Sequence, residues 1–242
     1  MIFLNTDCPM RQFYFYPMKN IAVLISDKGT GTNLQAIIDA VEVGKIKGKI
    51  CVVVSNTAKA FGLNRARKYK IPTEVFGWKK YEKSGKSRDE YSKDLAKLLK
   101  KYDPDLIVFA GWILILTQEF FDEFYHVLNI HPGLIPDSPG GKVNFPDETL
   151  APTNKEMHTD DAVSSFLKGK YKFAGSTIHF VTRNVDWGPV VFRDFEEIRK
   201  DDNLESLYSR LKEKEHTMLV KAIYLFCNDK LIVERSKVRV LQ

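Results

Sequence analysis

The segment YDPDLIVFAGW, from Tyr102 to Trp112, decides the fold of this chain. Its run from Leu106 to Ala110 is apolar without interruption, with proline and aspartate before it and glycine after it. A run of this length and composition predicts a β-strand that is buried on both faces. Such strands belong to parallel sheets covered by helices, so the segment predicts an α/β fold.

Similar apolar runs alternate with amphipathic segments from Ile21 onward. In one amphipathic segment, Asp89–Tyr102, a stripe at helical spacing is formed by Tyr91, Leu95, Leu98 and Leu99. Alternating strands and helices, joined by right-handed crossovers, predict a Rossmann-like, doubly wound sheet that is mostly parallel. The predicted strands are Ile21–Ser26, Ile50–Ser55, Thr73–Phe76, Leu106–Ala110 and Val127–Ile130, and the predicted helices are Leu34–Val43, Ala60–Tyr69 and Asp89–Tyr102.

The second half of the chain departs from this alternation. Residues 137–172 are rich in proline and glycine and contain one short predicted helix, Asp161–Lys168. Two further strands, Ser176–Thr182 and Val190–Phe195, are joined as in a hairpin, which makes the sheet mixed, and Asn203–Phe226 is a long predicted helix. Long loops inside compact domains are usually functional or mobile, so we expect residues 137–172 to lie beside an active site.

Length and composition are those of a globular protein. With 242 residues, 44% of them hydrophobic, the chain can form one large domain, which we expect over residues 18–242. Residues 1–17 match no element of the pattern, so we expect a disordered N-terminal extension, with Met18 as an alternative start. The apolar runs are too short to span a bilayer, and three widely spaced cysteines argue against disulfides, so we expect a cytoplasmic protein.

The charge pattern does not predict a nucleic-acid partner. The net charge is +6, but Lys and Arg are interspersed with Asp and Glu, which is typical of a solvated surface. The five histidines have no metal-ligand spacing with cysteine, and no HExxH sequence occurs, so we expect no metal site.

The stretch VLNIHPGLIP, from Val127 to Pro136, carries the strongest candidates for catalysis. Asn129 and His131 are two residues apart in a predicted strand, so both side chains point to one side and can reach one carbonyl group. Pro132 ends the strand, which places the pair at a strand end where open α/β sheets bind ligands. Taken alone, a histidine at a strand end is more often a structural residue that bonds a backbone carbonyl than a catalytic one.

A glycine-rich turn, Ser26–Asn33, follows the first predicted strand and precedes a helix. Such a turn can bring backbone N–H groups and a helix N-terminus to a phosphate, with Thr32 or Asn33 as the cap, or it can simply reverse the chain. Its spacing matches neither the dinucleotide fingerprint nor a P-loop, which disfavours NAD and ATP.

Two carboxylates stand out later in the chain. Glu215 falls on the apolar stripe of the last helix, so it requires a buried Lys or Arg or a ligand as its partner. Asp186 lies in the turn between the last two strands, where an aspartate usually caps the backbone. If Asp186 lay near His131, it would raise the pKa of the imidazole and make it a general acid.

Six separated segments resemble, in order, the phosphoribosylglycinamide formyltransferases. They are GTNLQAIIDA (31–40), VSNTAKAFGLNRA (54–66), YDPDLIVFAGW (102–112), LNIHPGLIP (128–136), GSTIHFVTRNVDWGPVV (175–191) and KEH (214–216). The resemblance implies a mixed, mostly parallel sheet of the formyltransferase type. It also implies transfer of a formyl group from the co-substrate 10-formyltetrahydrofolate to the amine of phosphoribosylglycinamide, in de novo purine biosynthesis.

The resemblance also implies residue roles. Asn129 would bind the developing oxyanion, His131 would transfer protons, and Asp186 would keep His131 protonated during direct attack through a tetrahedral intermediate. Phosphoribosylglycinamide would contact Gly31, Thr32, Asn33 and Glu215. The folate would contact Arg88, Ile113, Leu114, Ile115, Leu116, Asn129, Thr182, Arg183, Asn184, Val185 and Asp186.

Two departures from the family leave the formyl acceptor open. The turn near Gly29 has about two extra residues, and the loop 140–157 is longer than the family's. A related formyltransferase acting on another amine, such as an amino sugar, and a non-catalytic phosphate-binding module are the alternatives. We expect neither transfer to methionyl-tRNA nor hydrolysis of formyltetrahydrofolate, which call for a further domain after Gln242 or before Lys19. Monomer and homodimer both remain open.

Overall fold

The computed structural model of the chain describes residues 18–27, 29–234 and 237–241, so the expected disordered extension, residues 1–17, lies outside the described residues. In chain order the elements are β1 (Lys19–Ile25), α1 (Thr32–Glu42), β2 (Gly48–Ser55), α2 (Gly62–Lys68), β3 (Thr73–Val75), α3 (Trp78–Lys83), α4 (Arg88–Lys100), β4 (Leu106–Phe109), α5 (Gln118–Phe121), β5 (Val127–His131), α6 (Thr159–Lys168), β6 (Phe173–Phe180), β7 (Val190–Glu197), α7 (Leu204–Cys227), β8 (Leu231–Glu234) and β9 (Lys237–Val240).

Seven strands form one sheet in the order β3-β2-β1-β4-β5-β6-β7. β1 pairs in parallel with β2 and β4, and the pairs β2–β3 and β4–β5 are also parallel. β6 lies antiparallel to both β5 and β7. The sheet is mixed and mostly parallel with helices on both faces, which confirms the predicted α/β fold.

The central strand β1 explains why helices cover both faces of the sheet. Ile21 and Val23 belong to one core cluster, which includes residues of α1, α2 and α7. Ala22 and Leu24 belong to a second cluster, which includes residues of α4 and α5. Because successive side chains of a strand point to opposite faces, an uninterrupted apolar strand needs a helix layer on each side.

The segment 137–172 has a hydrophobic cluster of its own. The ring of Phe145 packs against the rings of Phe166, Tyr171, Phe173 and Phe195, with centroid separations between 5.7 and 6.4 Å. Buried residues of α7 belong to the same cluster. The loop is therefore a packed part of the domain, and its irregular backbone is held by side-chain contacts.

Several elements differ from the sequence-based prediction. α3, α5, β8 and β9 were not predicted, because runs of four to six residues are too short to show a helical or strand period. The strand predicted over Ser176–Thr182 is β6, which runs from Phe173 to Phe180. It begins earlier than predicted because Phe173 already pairs with Glu197 of β7. Within the described ranges, no helix is long and apolar enough to cross a membrane.

Candidate active site

Two adjoining clefts lie at the carboxyl ends of the parallel strands. The strand order reverses beside β1, since β2 and β3 lie on one side of it and β4 and β5 on the other, and open α/β sheets bind ligands at such a point. The first cleft, of about 240 Å³, is lined by residues at and after the ends of β4, β5 and β6. The second, of about 510 Å³, is lined by the turn after β1 and by residues of α6 and α7. Both contain Gly111, Ile113, His158 and Thr159, so the clefts share a wall.

Asn129 and His131 lie on the same side of β5, as the alternation predicts, and Pro132 follows the last residue of the strand. In the antiparallel register of β5 and β6, Asn129 is opposite His179, and His131 is opposite Thr177. Because opposite residues of antiparallel strands point to the same face, His179 joins the predicted pair. Asn129, His131 and His179 all line the first cleft.

The hydrogen bonds of His179 orient the carboxamide of Asn129. His179 Nδ1 lies 3.0 Å from the main-chain oxygen of Phe180, which can only accept, so Nδ1 carries the hydrogen. Nε2 of His179 is then an acceptor, and Asn129 Nδ2 donates to it at 3.1 Å. The amide nitrogen of Asn129 keeps a second N–H for an oxygen of a ligand.

Asp186 reaches this group from the turn between β6 and β7. Its Oδ2 lies 3.7 Å from His131 Nδ1, and its Oδ1 lies 3.7 Å from His179 Nε2. The main-chain N–H of Glu156, in the long loop, donates to Asp186 Oδ2 at 2.7 Å. The carboxylate of Asp186 thus bonds a distant loop and faces two histidines, unlike an aspartate that caps its own turn.

The turn that carries Asp186 depends on a close backbone approach. A Cβ atom at Gly188 would lie 1.5 Å from the main-chain oxygen of Phe180. The main-chain N–H of Phe180 donates to the oxygen of Pro189 at 2.9 Å, which closes the turn against the end of β6. Asp186 itself has a φ of 55°, in the left-handed region that few residues other than glycine adopt. Only glycine at 188 permits this closure, which fixes where the carboxylate enters the cleft.

Burial determines the charge of His131 in the free protein. His131 is 5% exposed, and this burial lowers its pKa below the usual 6.5, while the Asp186 carboxylate and the Asn154 carbonyl offset only part of the effect. Asp186 does raise the pKa of His131, as expected, but the expected net increase is wrong for the free protein, because desolvation of the imidazolium outweighs a carboxylate 3.7 Å away. Burial likewise lowers the pKa of His179. His131 is neutral near pH 7 and can accept a proton.

The second cleft ends at the first turn of α1. Gly31 is the N-cap of this helix, with a φ of 72°, and no side chain caps it. The expectation that Thr32 or Asn33 caps α1 is wrong, because the left-handed conformation of Gly31 already starts the helix. Uncapped N–H groups at a helix N-terminus favour an anion, and Lys212 adds a positive charge to the same cleft.

Apolar side chains give the first cleft its walls. All four residues of the segment 113–116, which is predicted to contact folate, line this cleft. Four of the five residues 182–186 also line the first cleft. The exception is Asn184, which lines an adjoining cleft together with Arg183 and Val185. The apolar wall residues are Phe109, Ile113, Leu114, Leu116, Val181 and Val185. A flat heteroaromatic ring with polar edges fits such a surface.

Two predicted ligand contacts lie outside both clefts. The guanidinium of Arg88 stacks on Trp78, 3.8 Å from the ring centroid, and Arg88 lines neither cleft. Glu215 is 1% exposed, which confirms its predicted inward placement, and it too lines neither cleft. The hydroxyl of Ser176 donates to Glu215 Oε1 at 2.8 Å, and the charge of Lys212 attracts the carboxylate, while the contact with a ligand stays a prediction.

Burial raises the pKa of Glu215 from its ordinary 4.5 to about 7, and the hydroxyl of Ser176 offsets part of the increase. A raised pKa means that the folded state binds the proton more tightly than the unfolded state does. The stability gained from this proton is complete below pH 4.5 and is lost as the pH rises through 7. Glu215 therefore destabilises the free protein at alkaline pH.

We predict that Glu215→Gln stabilises the free protein in a pH-dependent way, because glutamine accepts from Ser176 without ionising. The free energy of unfolding should match wild type to within about 1 kcal/mol near pH 5 and exceed it by up to about 3 kcal/mol at pH 8. Urea unfolding at both pH values measures the difference, with Glu213→Gln, an exposed neighbour on the same helix, as the control. An equal difference at pH 5 and pH 8 would rule out titration of Glu215.

Several lining residues are not among the sites predicted from the sequence, and three of them carry ionisable side chains close to the predicted groups. The absence of metal-ligand spacing gives His179 no role in the sequence-based prediction, although it alternates with Thr177 on the face of β6 that meets Asn129. Lys212 stands one helical turn before Glu215 and lines the second cleft, and His158 lines both. Across residues 18–27, 29–234 and 237–241, no three His, Cys, Asp or Glu side chains are grouped to hold a metal ion.

Comparison with known proteins agrees with this architecture. A profile described as "Formyl transferase" matches residues 19–223. The phosphoribosylglycinamide formyltransferase of Dictyostelium discoideum is 39% identical over 216 residues, covering 85% of this chain and 97% of that protein. The Escherichia coli (strain K12) enzyme of the same name is 35% identical over 213 residues, covering 88% and 89%.

Solved structures give the same result. Glycinamide ribonucleotide transformylase 1 from Symbiobacterium toebii superposes with a TM-score of 0.81 at 33% identity, over 97% of this chain and 100% of that one. The profile match and the relatives above 30% identity extend over most of the chain. The chain belongs to the formyl transferase family.

Proposed function

We propose that the chain transfers the formyl group of 10-formyltetrahydrofolate to the amine of phosphoribosylglycinamide, a step of de novo purine biosynthesis. The observation that carries this proposal is the pair of clefts with a common wall. One has apolar walls and a histidine–carboxylate pair, and the other has an uncapped helix N-terminus and a lysine. Two clefts of different chemistry, joined at one wall, suit a reaction between an aromatic donor and a phosphorylated acceptor.

The residues of the first cleft fit the co-substrate. Apolar side chains can hold the flat pterin ring, and Asn129, His131 and Asp186 supply polar groups at one end. The glycine turn, Thr32 and Asn33 offer main-chain N–H groups to a phosphate in the second cleft. The contacts of Arg88 with folate and of Glu215 with phosphoribosylglycinamide stay predictions, since neither residue lines these clefts.

In the proposed reaction the acceptor amine attacks the formyl carbon. A carbon–nitrogen bond forms, the carbonyl electron pair moves onto oxygen, and the free N–H of Asn129 donates to that oxyanion. Neutral His131 takes the proton that the amine loses, and Asp186 stabilises the resulting imidazolium. As the adduct collapses, the bond to the folate nitrogen breaks and His131 returns the proton to that nitrogen. Holding the two substrates side by side supplies much of the acceleration.

The proposal is tested by supplying purified protein with 10-formyltetrahydrofolate and a mixture of candidate amines. We expect phosphoribosylglycinamide to gain the formyl mass and an amino sugar in the same tube to remain unmodified. Preferential formylation of the amino sugar would favour the related formyltransferase, and no formylated amine at all would favour a binding module.

A second prediction concerns Lys212 and the phosphate of the acceptor. Lys212→Ala should raise KM for phosphoribosylglycinamide about 10- to 100-fold and change kcat little, since a charge-assisted hydrogen bond is lost in the ground and transition states alike. Lys214→Ala is the control, because Lys214 pairs with Asp194 and Glu196 outside both clefts. An unchanged KM in the Lys212 variant would exclude a phosphate contact there.

We also propose that residues 18–242 are one domain in which the segment 137–172 forms an active-site loop, and that the enzyme is cytoplasmic. The loop proposal is supported by Glu156, which bonds Asp186, and by Asn154, which bonds His131. The cytoplasmic proposal follows from the family, whose substrates are intermediates of soluble metabolism.

A further inference from the structure

Asn154, in the long loop, is completely buried, and its polar groups are all used. Its main-chain oxygen lies 2.7 Å from His131 Nε2. Its side-chain Oδ1 accepts from the main-chain N–H of Leu134 at 3.1 Å, and its Nδ2 donates to Ser165 Oγ at 2.6 Å. Its main-chain N–H donates to the oxygen of Leu134 at 3.0 Å. One residue therefore connects His131, the chain after β5, and α6.

The contact with Asn154 determines which nitrogen of His131 carries the hydrogen. A carbonyl oxygen can only accept, so Nε2 of His131 must be the donor. The lone pair of the neutral ring is then on Nδ1, the nitrogen that lies 3.7 Å from Asp186. That distance is longer than a hydrogen bond and leaves Nδ1 free to take a proton from a reacting group.

We propose that Asn154 is a positioning residue, which holds His131 in the Nε2–H tautomer with Nδ1 directed towards the reacting atoms. The inference rests on the proposed function, because the tautomer matters only if His131 transfers protons.

The side chain of Asn154 supplies most of the hydrogen bonds that keep its carbonyl in place, beside the main-chain bond to Leu134. Residues 151–154 have no regular secondary structure, so no ladder of backbone bonds fixes this part of the loop. The main-chain N–H bond to the oxygen of Leu134 and the two side-chain bonds, to Leu134 and Ser165, attach it instead. Space is also limited, since a Cβ atom at Gly133 would lie 2.6 Å from Asn154 Cβ and 2.8 Å from His131 Nε2. Loss of the amide would leave only the main-chain bond to Leu134 and let the carbonyl shift away from the imidazole.

The test combines ring NMR with kinetics on full-length protein labelled with ¹⁵N-histidine, in which the His131 signals are assigned from a His131→Gln spectrum. Wild type should show a protonated Nε2 and an unprotonated Nδ1. Asn154→Ala should bring both nitrogens towards averaged shifts and lower kcat about 10- to 100-fold with KM nearly unchanged, the usual cost of losing an orienting partner. Asn154→Asp keeps the acceptor for Leu134 N–H, so it should restore the Nε2–H shifts and most of kcat.

A matched control and a milder variant complete the experiment. Thr149→Ala removes a side-chain hydrogen bond to Asp147 in the same loop and should leave kcat and the ring shifts unchanged. If Asn154→Ala does not fold, Asn154→Ser, whose shorter side chain cannot reach both anchors, should show the same changes in smaller degree. Wild-type ring shifts and wild-type kcat in the alanine or serine variant would overturn the inference.

The readouts separate this inference from the proposed function. If wild type formylates phosphoribosylglycinamide but Asn154 variants keep both tautomer and kcat, the positioning role alone fails. If wild type forms no product, the proposed function fails, whatever the ring shifts show.

Discussion

His131→Ala is expected to lower kcat for formyl transfer roughly 10²- to 10⁴-fold, the range for removal of a general acid–base residue. In the free protein His131 is neutral near pH 7, faces Asp186, and lines the cleft with Asn129, so its loss removes the group that accepts the proton of the amine. KM for both substrates should change much less. Steady-state kinetics by product mass measures both constants.

His126→Ala is the matched control for this variant. His126 lies just before β5, where its ring contacts that of Phe226 with centroids 5.0 Å apart, and it does not line either cleft. Its removal should leave kcat within a few-fold of wild type. If His131→Ala folds and turns over as fast as His126→Ala, proton transfer through position 131 is refuted.

Asp186→Asn is expected to lower kcat by a similar amount, roughly 10²- to 10⁴-fold, because the imidazolium formed in the reaction loses its stabilising carboxylate. The fold should survive, since asparagine Oδ1 can still accept from the N–H of Glu156. The pH profile provides a second readout. Asp186 raises the pKa of His131 against the effect of burial, so its neutralisation lowers that pKa further.

The sign of the pH effect follows from this pKa. Neutral His131 is the active base, so wild-type kcat/KM should be full at pH 7 and above and fall below pH 6.5 as His131 is protonated. In Asp186→Asn the residual activity should persist to lower pH than in wild type. Asp194→Asn, which changes a carboxylate of β7 paired with Lys214, is the control and should keep the wild-type profile. A wild-type kcat in Asp186→Asn would exclude the proposed role of the carboxylate.

The fold was largely readable from the sequence because the central strands carry an unambiguous pattern. The uninterrupted apolar run Leu106–Ala110 required burial on both faces, and β4 lies between β1 and β5 with its residues buried. The side-by-side placement of Asn129 and His131 followed from strand alternation and from Pro132. The short helices α3 and α5 had too few residues for a period to appear.

The site was only partly readable because its members come from distant parts of the chain. The turn residue Asp186 reaches His131 through the pairing of β5 with β6, a register that alternation alone does not give. The two loop residues Asn154 and Glu156 come from a segment with no periodicity. The pKa of His131 was predicted in the wrong direction because burial, which dominates it, depends on the packed structure.

Proton transfer through His131 and Asp186 is tested by following a ¹³C-labelled formyl group from 10-formyltetrahydrofolate in wild type, His131→Ala and Asp186→Asn side by side. We expect labelled formyl-phosphoribosylglycinamide from wild type, and from the folded variants no more than about a hundredth of that rate. The proposed mechanism would be contradicted if either variant formed labelled product at the wild-type rate. It would also be contradicted if none of the three proteins formed labelled product.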